Sequence, residues 1–198
     1  MIDMMISIVY VDDDIDNNLS RYLGEFCSSD PHFACSELKF NNTDTYLSLL
    51  NNEDIRKSNI LLIDSRLFKE ADTASNQLSG EVFRVIINKV FPYIEVVVIS
   101  QNAMDVEWCV VPKCKTARSY SEFKEYYDKE LGPILREKSK KICETRRILA
   151  SLENKDTVET ALLEKLQRSI AGETEYDELK ASDIDSMIRA FKELIAKG

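Results

Sequence analysis

Polar side chains follow the apolar runs of this sequence at one recurring place, directly after each run ends. They are three consecutive aspartates, a further aspartate, a serine and a lysine: Asp12, Asp13, Asp14, Asp64, Ser100 and Lys113. Carboxylates that meet in one place repel one another unless a cation lies between them, and oxygen ligands alone favour Mg²⁺. A hydroxyl and an ammonium beside such a cluster stabilise the oxygens of a transferring phosphoryl group. These residue types therefore predict Mg²⁺-dependent phosphoryl chemistry.

The apolar runs predict the sheet that would bring these side chains together. Runs rich in β-branched residues lie at 6–11, 59–63 and 94–99, with weaker runs at 33–40 and 108–111. The three strong runs lack alternation, as is typical of strands buried on both faces. Helical patterns separate the runs, at residues 16–26, 43–50 and 80–90. The fold class we expect is α/β, a doubly wound parallel sheet of five strands, with ligands at the carboxyl edge.

The last third of the sequence has helical patterns and no strand pattern. Helices are predicted over residues 121–138, 139–152, 156–171 and 182–196, with a kink or break at Gly132-Pro133. The last two carry apolar stripes that must be buried against each other, the rest of the chain or a second chain. We expect an α/β domain over residues 1–138. We expect a helical extension over residues 139–198 to serve as an interaction or dimerisation module. A homodimer is one of the assemblies that such a module would form.

The net charge argues against polyanionic partners. The chain carries 35 acidic and 26 basic residues, a formal charge of −9. The excess lies in residues 1–138, with 23 acidic and 15 basic residues, whereas residues 139–198 have 12 and 11. Because an acidic surface repels phosphate backbones and anionic lipid, we expect neither nucleic acid nor a membrane as a partner. The locally basic stretch at 136–147 lacks a helix-turn-helix pattern and is interpreted as a solvated helix face.

The cysteines and the N-terminus indicate a soluble cytoplasmic protein. The five cysteines form no CxxC pair and the chain has one histidine, so a zinc site is not expected. We expect reduced, mostly buried thiols. The apolar N-terminal run is short, is interrupted by Asp3 and is followed by aspartates, unlike a signal peptide or an anchor.

Four segments resemble the receiver domain of two-component response regulators, the CheY-like family. They are residues 7–13 (SIVYVDD), 59–64 (NILLID), 94–100 (IEVVVIS) and 109–113 (CVVPK). The resemblance covers roughly residues 5–138. It implies a flavodoxin-like fold and a signalling protein, not an enzyme, that takes a phosphoryl group from a histidine kinase or phosphotransfer protein. Its downstream partner would be a protein bound by the C-terminal helices.

The resemblance also implies a role for each residue that would act on the phosphoryl group. Asp64 looks like the aspartate that accepts it. Ser100 looks like the hydroxyl residue that bonds to a phosphoryl oxygen, and Lys113 like the basic residue that pairs with it.

The metal ligands are implied in the same way. Asp12 and Asp13 resemble the acidic pair that holds Mg²⁺ together with Asp64. Arg66 would supply its backbone carbonyl, a role that does not depend on the side chain. Ser79-Gly80 resembles the Asp-Gly that usually opens the third helix of the family.

Three residues depart from the family pattern. Cys114 stands where a proline usually follows the lysine, Gln101 where a small residue follows the hydroxyl, and Val110 where an aromatic switch residue usually lies. Only 12 residues separate Ser100 from Lys113, too few for a full fourth helix with its loops. We therefore expect the fifth helix and its continuation to carry the signal.

Simpler interpretations stand beside these. The aspartate triplet is also typical of a helix N-cap, and Lys115 competes with Lys113 for the basic position. The departures favour an alternative function, a pseudo-receiver that is not phosphorylated and acts as an interaction scaffold. A Mg²⁺-dependent phosphohydrolase is a third hypothesis, weakened because such enzymes need a second acid where this chain has Arg66.

Overall fold

The computed structural model describes residues 5–41, 44–67, 79–101, 110–152, 164, 166–168 and 170. Its elements in chain order are β1 (Ile6–Asp12), α1 (Asn17–Ser28), β2 (Phe33–Lys39), α2 (Tyr46–Leu50), α3 (Glu53–Arg56), β3 (Ile60–Asp64), α4 (Gly80–Val90), β4 (Glu95–Ser100), β5 (Val110–Pro112), α5 (Tyr120–Glu130) and α6 (Gly132–Leu152). The helices predicted over 156–171 and 182–196 lie wholly or mostly outside the described residues. So does most of the shortened segment between Ser100 and Lys113.

The five strands form one parallel sheet in the order β2-β1-β3-β4-β5. This is the doubly wound order in which the chain starts near the centre, moves to one edge and then crosses to the other. It is the order of flavodoxin-like and CheY-like receiver folds, so the predicted fold class is confirmed. The looser run at 33–40 forms the edge strand β2, as predicted.

Helices cover both faces of the sheet. One apolar cluster joins alternate residues of β1 and β3 to α2, α3 and α4, and a second joins the other residues to α1, α5 and α6. All five residues of β3 are buried. Burial on both faces explains why this strand is apolar throughout instead of alternating.

The C-terminal helix α6 begins at the predicted break and packs on the sheet. α5 ends before Leu131, and Pro133 occupies the first turn of α6, where a missing N–H removes no helical hydrogen bond. α6 then continues across residue 138, with Ile142 in the core. The predicted division at residue 138 stays a prediction. None of the described helices, α6 included, is both long and apolar enough to cross a membrane.

One pair of cysteines departs from the expected reduced state. Cys27 at the end of α1 and Cys35 in β2 form a disulfide, with Cα atoms 6.2 Å apart, a separation usual for this bond. The prediction of reduced thiols is therefore wrong for this pair, because α1 packs back over the strand that follows it. Cys114 and Cys143 are free and half-buried.

Candidate functional site

Two buried carboxylates lie at the carboxyl ends of neighbouring strands. Asp12 is the last residue of β1 and Asp64 the last residue of β3, and these strands pair with each other. Asp12 is 1% and Asp64 2% exposed, whereas Asp13 is partly exposed. Oxygens of the three carboxylates lie within 4.8 Å of one another. The structure thus brings together the three predicted metal-binding aspartates.

Lys113 reaches this cluster from the end of β5. Its Nζ lies 2.7 Å from Asp64 Oδ1 and 3.3 Å from Asp12 Oδ2. Its backbone N–H donates to the carbonyl of Ser100 at 2.6 Å, which ties the residue to the end of β4. Lys115, in contrast, is exposed. Of the two lysines, Lys113 is the one that contacts the carboxylates.

Ser100 lies at the same edge of the sheet. It is the buried last residue of β4 and follows Ile99, the register partner of Asp64. The sheet therefore places the predicted hydroxyl residue between the strand that carries Asp64 and the strand that leads to Lys113.

The turn after β3 holds Asp64 through its backbone. The N–H of Arg66 donates to Asp64 Oδ2 at 2.7 Å, and the N–H of Ser65 donates to the carbonyl of Ile99 at 2.8 Å. Gly80 packs against this turn so closely that a Cβ there would lie 2.5 Å from the carbonyl oxygen of Asp64. Ser79 caps α4 with its side chain. The Ser79-Gly80 pair therefore opens this helix and permits its close approach to Asp64.

The N-cap interpretation of the aspartate triplet is not supported. The N-cap of α1 is Asp16, whose side chain accepts from the N–H groups of Asn18 and Leu19. Asp12 Oδ1 instead accepts from the N–H of Asp14 at 3.2 Å. Asp12 and Asp13 therefore do not cap α1, and both belong to the acidic cluster.

Tyr10 also contributes to this site, although no sequence pattern predicted it. Its fully buried hydroxyl donates to Asp12 Oδ2. Residues i and i+2 of a strand point to the same face, so the contact could have been inferred once β1 was recognised.

Burial and charge set the protonation of the cluster. Burial raises the pKa of Asp12, opposed by the hydrogen bond from Tyr10 and by the charge of Lys113. Burial disfavours the Lys113 ammonium, but the adjacent carboxylates of Asp64 and Asp12 outweigh this effect and raise its pKa. The site therefore keeps a cation at Lys113 under neutral conditions.

The donor set suits a small hard cation. Asp64 Oδ1 is buried, and its close polar contact among the described residues is Lys113 Nζ at 2.7 Å. Such an oxygen has spare capacity for a ligand. Asp12, Asp13 and Asp64 offer only oxygen donors, and the partly exposed Asp13 leaves room for the waters that Mg²⁺ retains.

Comparison with known proteins gives matches to solved structures alone. No family model matches the chain, and no curated protein matches it significantly. A structure of two RcsB dimers bound to two parallel DNAs has a TM-score of 0.40 and 16% identity, covering 95% of this chain and 93% of that one.

Two further matches are also to RcsB. RcsB from Salmonella enterica serovar Typhimurium, bound to a promoter with the phosphomimetic BeF₃⁻, has a TM-score of 0.42 and 15% identity, with 83% and 85% covered. A complex of the two-component response regulator RcsB with DNA has a TM-score of 0.41 and 13% identity, with 84% and 90% covered. At such values the likeness concerns the fold alone.

These structures contradict one expectation, that nucleic acid is not a partner. RcsB is bound to DNA in all three. The expectation relied on the net charge of the whole chain, which says nothing about a local surface. Residues 139–198 are nearly neutral overall and α6 is locally basic, so the charge of −9 does not exclude DNA.

Proposed function

We propose that this chain is an atypical response regulator that accepts a phosphoryl group on Asp64. The observation that carries the proposal is the contact of Lys113 with both Asp64 and Asp12 at the carboxyl edge of the sheet. It joins the ends of three strands that are far apart in sequence. A half-buried ammonium held by two carboxylates at a ligand-binding edge is the arrangement expected of a phosphoryl-binding site.

The proposed chemistry follows from the position of each group. An oxygen of the Asp64 carboxylate attacks the phosphorus of a phosphohistidine donor. The bond from phosphorus to the imidazole nitrogen breaks, and an acyl phosphate forms on Asp64. Lys113 pairs with a phosphoryl oxygen, and the Ser100 hydroxyl donates to another. Mg²⁺ held by Asp12, Asp13, Asp64 and the Arg66 carbonyl would neutralise charge on the phosphoryl oxygens.

The donor we propose is a histidine kinase or a phosphotransfer protein in the cytoplasm. The added charge would shift a two-state equilibrium of the receiver. α5 and α6 are proposed to transmit this change, because α6 packs on the sheet through Ile142 and through the Lys138–Glu95 ion pair of 2.8 Å. The segment after residue 138 is proposed to bind a downstream protein or a second copy of the chain.

The test is phosphorylation by a small donor. The full chain is incubated with acetyl phosphate and MgCl₂ and its intact mass is measured. We expect one phosphoryl group on the wild type and none on Asp64→Asn. Phosphate retained by Asp64→Asn would refute the assignment of the acceptor.

A matched pair of variants tests the metal. Asp13→Asn removes a carboxylate of the cluster, and Asp14→Asn removes its exposed neighbour. We expect phosphorylation to require several-fold more Mg²⁺ in Asp13→Asn and to be unchanged in Asp14→Asn. A wild type that neither binds Mg²⁺ nor gains phosphate would favour the pseudo-receiver scaffold instead.

A further inference from the structure

The buried hydroxyl of Tyr10 occupies an unusual place, inside the core and against the acidic cluster. Tyr10 is fully buried in the same apolar cluster as Tyr22 and Tyr127. Its hydroxyl donates to Asp12 Oδ2 and accepts from the N–H of Asp16 at 3.4 Å. The phenol thus connects the last residue of β1 to the N-cap of α1.

Strand geometry explains how a tyrosine makes this contact. Residues two apart in a strand are separated by about 6.6 Å along its axis and point to one face. A tyrosine side chain has about that length, so a ring lying along the strand brings its hydroxyl to the carboxylate of residue 12. A phenylalanine at position 10 would fill the same space without the donor.

Every oxygen of Asp12 then has a partner inside the protein. Oδ2 accepts from Tyr10 and lies 3.3 Å from Lys113 Nζ, while Oδ1 accepts from the N–H of Asp14. Without the hydroxyl, Lys113 is the remaining partner of Oδ2 among the described residues, and the carboxylate is free to turn toward it. The orientation of Asp12 thus depends on Tyr10.

We propose that Tyr10 is a positioning residue that sets the affinity of the acidic cluster for Mg²⁺ by holding the Asp12 carboxylate. The proposal rests on the proposed function, because it concerns the same metal site. Groups that hydrogen-bond to metal-binding carboxylates typically contribute 10- to 100-fold to metal affinity.

The test compares two buried tyrosines of one core. Tyr10→Phe removes the donor to Asp12. Tyr22→Phe removes a buried hydroxyl that donates to the carbonyl of Tyr127 at 3.0 Å, with no contact to the cluster. Tyr10→Phe loses the bonds to Asp12 and from Asp16, and Tyr22→Phe loses the bond to Tyr127, so each variant removes a buried hydroxyl from the same core. Mg²⁺ binding to each full chain is measured by calorimetry.

We expect the Kd for Mg²⁺ to rise about tenfold in Tyr10→Phe and to stay unchanged in Tyr22→Phe. A Kd within twofold of the wild type in Tyr10→Phe would overturn the proposal, as would an equal rise in both variants. If Asp13→Asn binds Mg²⁺ more weakly than the wild type and Tyr10→Phe does not, the inference about Tyr10 fails and the metal site stands. A wild type that binds no Mg²⁺ overturns both.

A second measurement uses the wild-type chain, in case Tyr10→Phe does not fold. Ring signals of ¹³C-labelled tyrosine are followed by NMR during a Mg²⁺ titration, with the Tyr22 signal identified from Tyr22→Phe. We expect one signal to shift with the calorimetric Kd while the Tyr22 signal does not. Tyrosine signals that are all unmoved by saturating Mg²⁺ would overturn the proposal.

Discussion

Lys113 Nζ lies 2.7 Å from Asp64 Oδ1, and the two side chains are 16% and 3% exposed. β4 lies between β3, which ends at Asp64, and β5, which leads to Lys113, so the contact spans the end of β4. A buried carboxylate pair is costly without a counter-charge, and Lys113 supplies it for both Asp64 and Asp12. Lys113 therefore stabilises the cluster when no other cation is bound.

Replacing Lys113 by methionine should couple stability to Mg²⁺. Without the metal, the free energy of unfolding should fall by about 3 kcal/mol, because two buried carboxylates lose their shared counter-charge. Added Mg²⁺ should restore much of this loss, so it should stabilise Lys113→Met more than the wild type. Urea unfolding with and without MgCl₂ measures both effects.

The control for that prediction is Lys115→Met. Lys115 is exposed, and its replacement should change the free energy of unfolding by less than about 0.5 kcal/mol. Equal stabilisation of Lys113→Met and wild type by Mg²⁺ would contradict the assigned role of Lys113.

Gly80→Ala should displace the backbone at Asp64. The new Cβ would lie 2.5 Å from the Asp64 carbonyl and 3.0 Å from the Cα of Ser65, and backbone must move to accommodate it. We expect a loss of about 2 kcal/mol and slower phosphorylation of Asp64. Gly24→Ala lies in the middle of α1, where the new Cβ would meet nothing within 4 Å beyond its chain neighbours and the helix's own backbone, and it should instead gain up to about 1 kcal/mol. Thermal unfolding and intact mass check the pair, and a neutral Gly80→Ala would refute the prediction.

The attachment of α6 to β4 should depend on pH. Half-buried Glu95 would have a raised pKa from burial alone, but its contacts with Lys138 and Lys141 outweigh burial and lower the pKa. A lowered pKa in the folded state adds stability above the ordinary carboxyl range, and this stability is lost as the pH falls through the folded pKa.

The variant that tests this dependence is Glu95→Gln. At pH 7 it should be less stable than wild type by about 1 kcal/mol. The difference should shrink as the pH falls through the lowered pKa of Glu95, because the side chain then becomes neutral. Urea unfolding of both chains, from pH 7 to the lowest pH at which both fold, measures it. A difference that is constant with pH would contradict the role of the Glu95 charge.

Two isoleucines of α6 should differ sharply in their effect on stability. Ile142 is 8% and Ile148 62% exposed. Ile142→Ala should cost about 2–3 kcal/mol because it leaves a cavity in the core. Ile148→Ala should cost less than about 0.5 kcal/mol. Chemical denaturation compares them, and equal effects would mean that α6 does not pack on the sheet through Ile142.

The sheet, and the position of three aspartates at one of its edges, could be predicted from the sequence for a physical reason. Strands buried on both faces must be apolar throughout, so the polar residue that ends such a run marks the edge where ligands bind. Asp12, Asp13 and Asp64 could be placed at one edge on this basis. The roles of these aspartates, of Ser100, of Lys113 and of the Arg66 carbonyl in phosphoryl transfer remain predictions.

Tertiary structure alone decided the contacts between distant segments. The sequence offers two nearby lysines, and only the packing of β5 beside β4 selects Lys113 over Lys115. The Cys27–Cys35 disulfide and the Lys138–Glu95 ion pair likewise depend on how helices return to the sheet. Local patterns specify strands and helices because those depend on neighbours in sequence. Which side chains meet across the molecule depends on distances between elements, which are set only when the core packs.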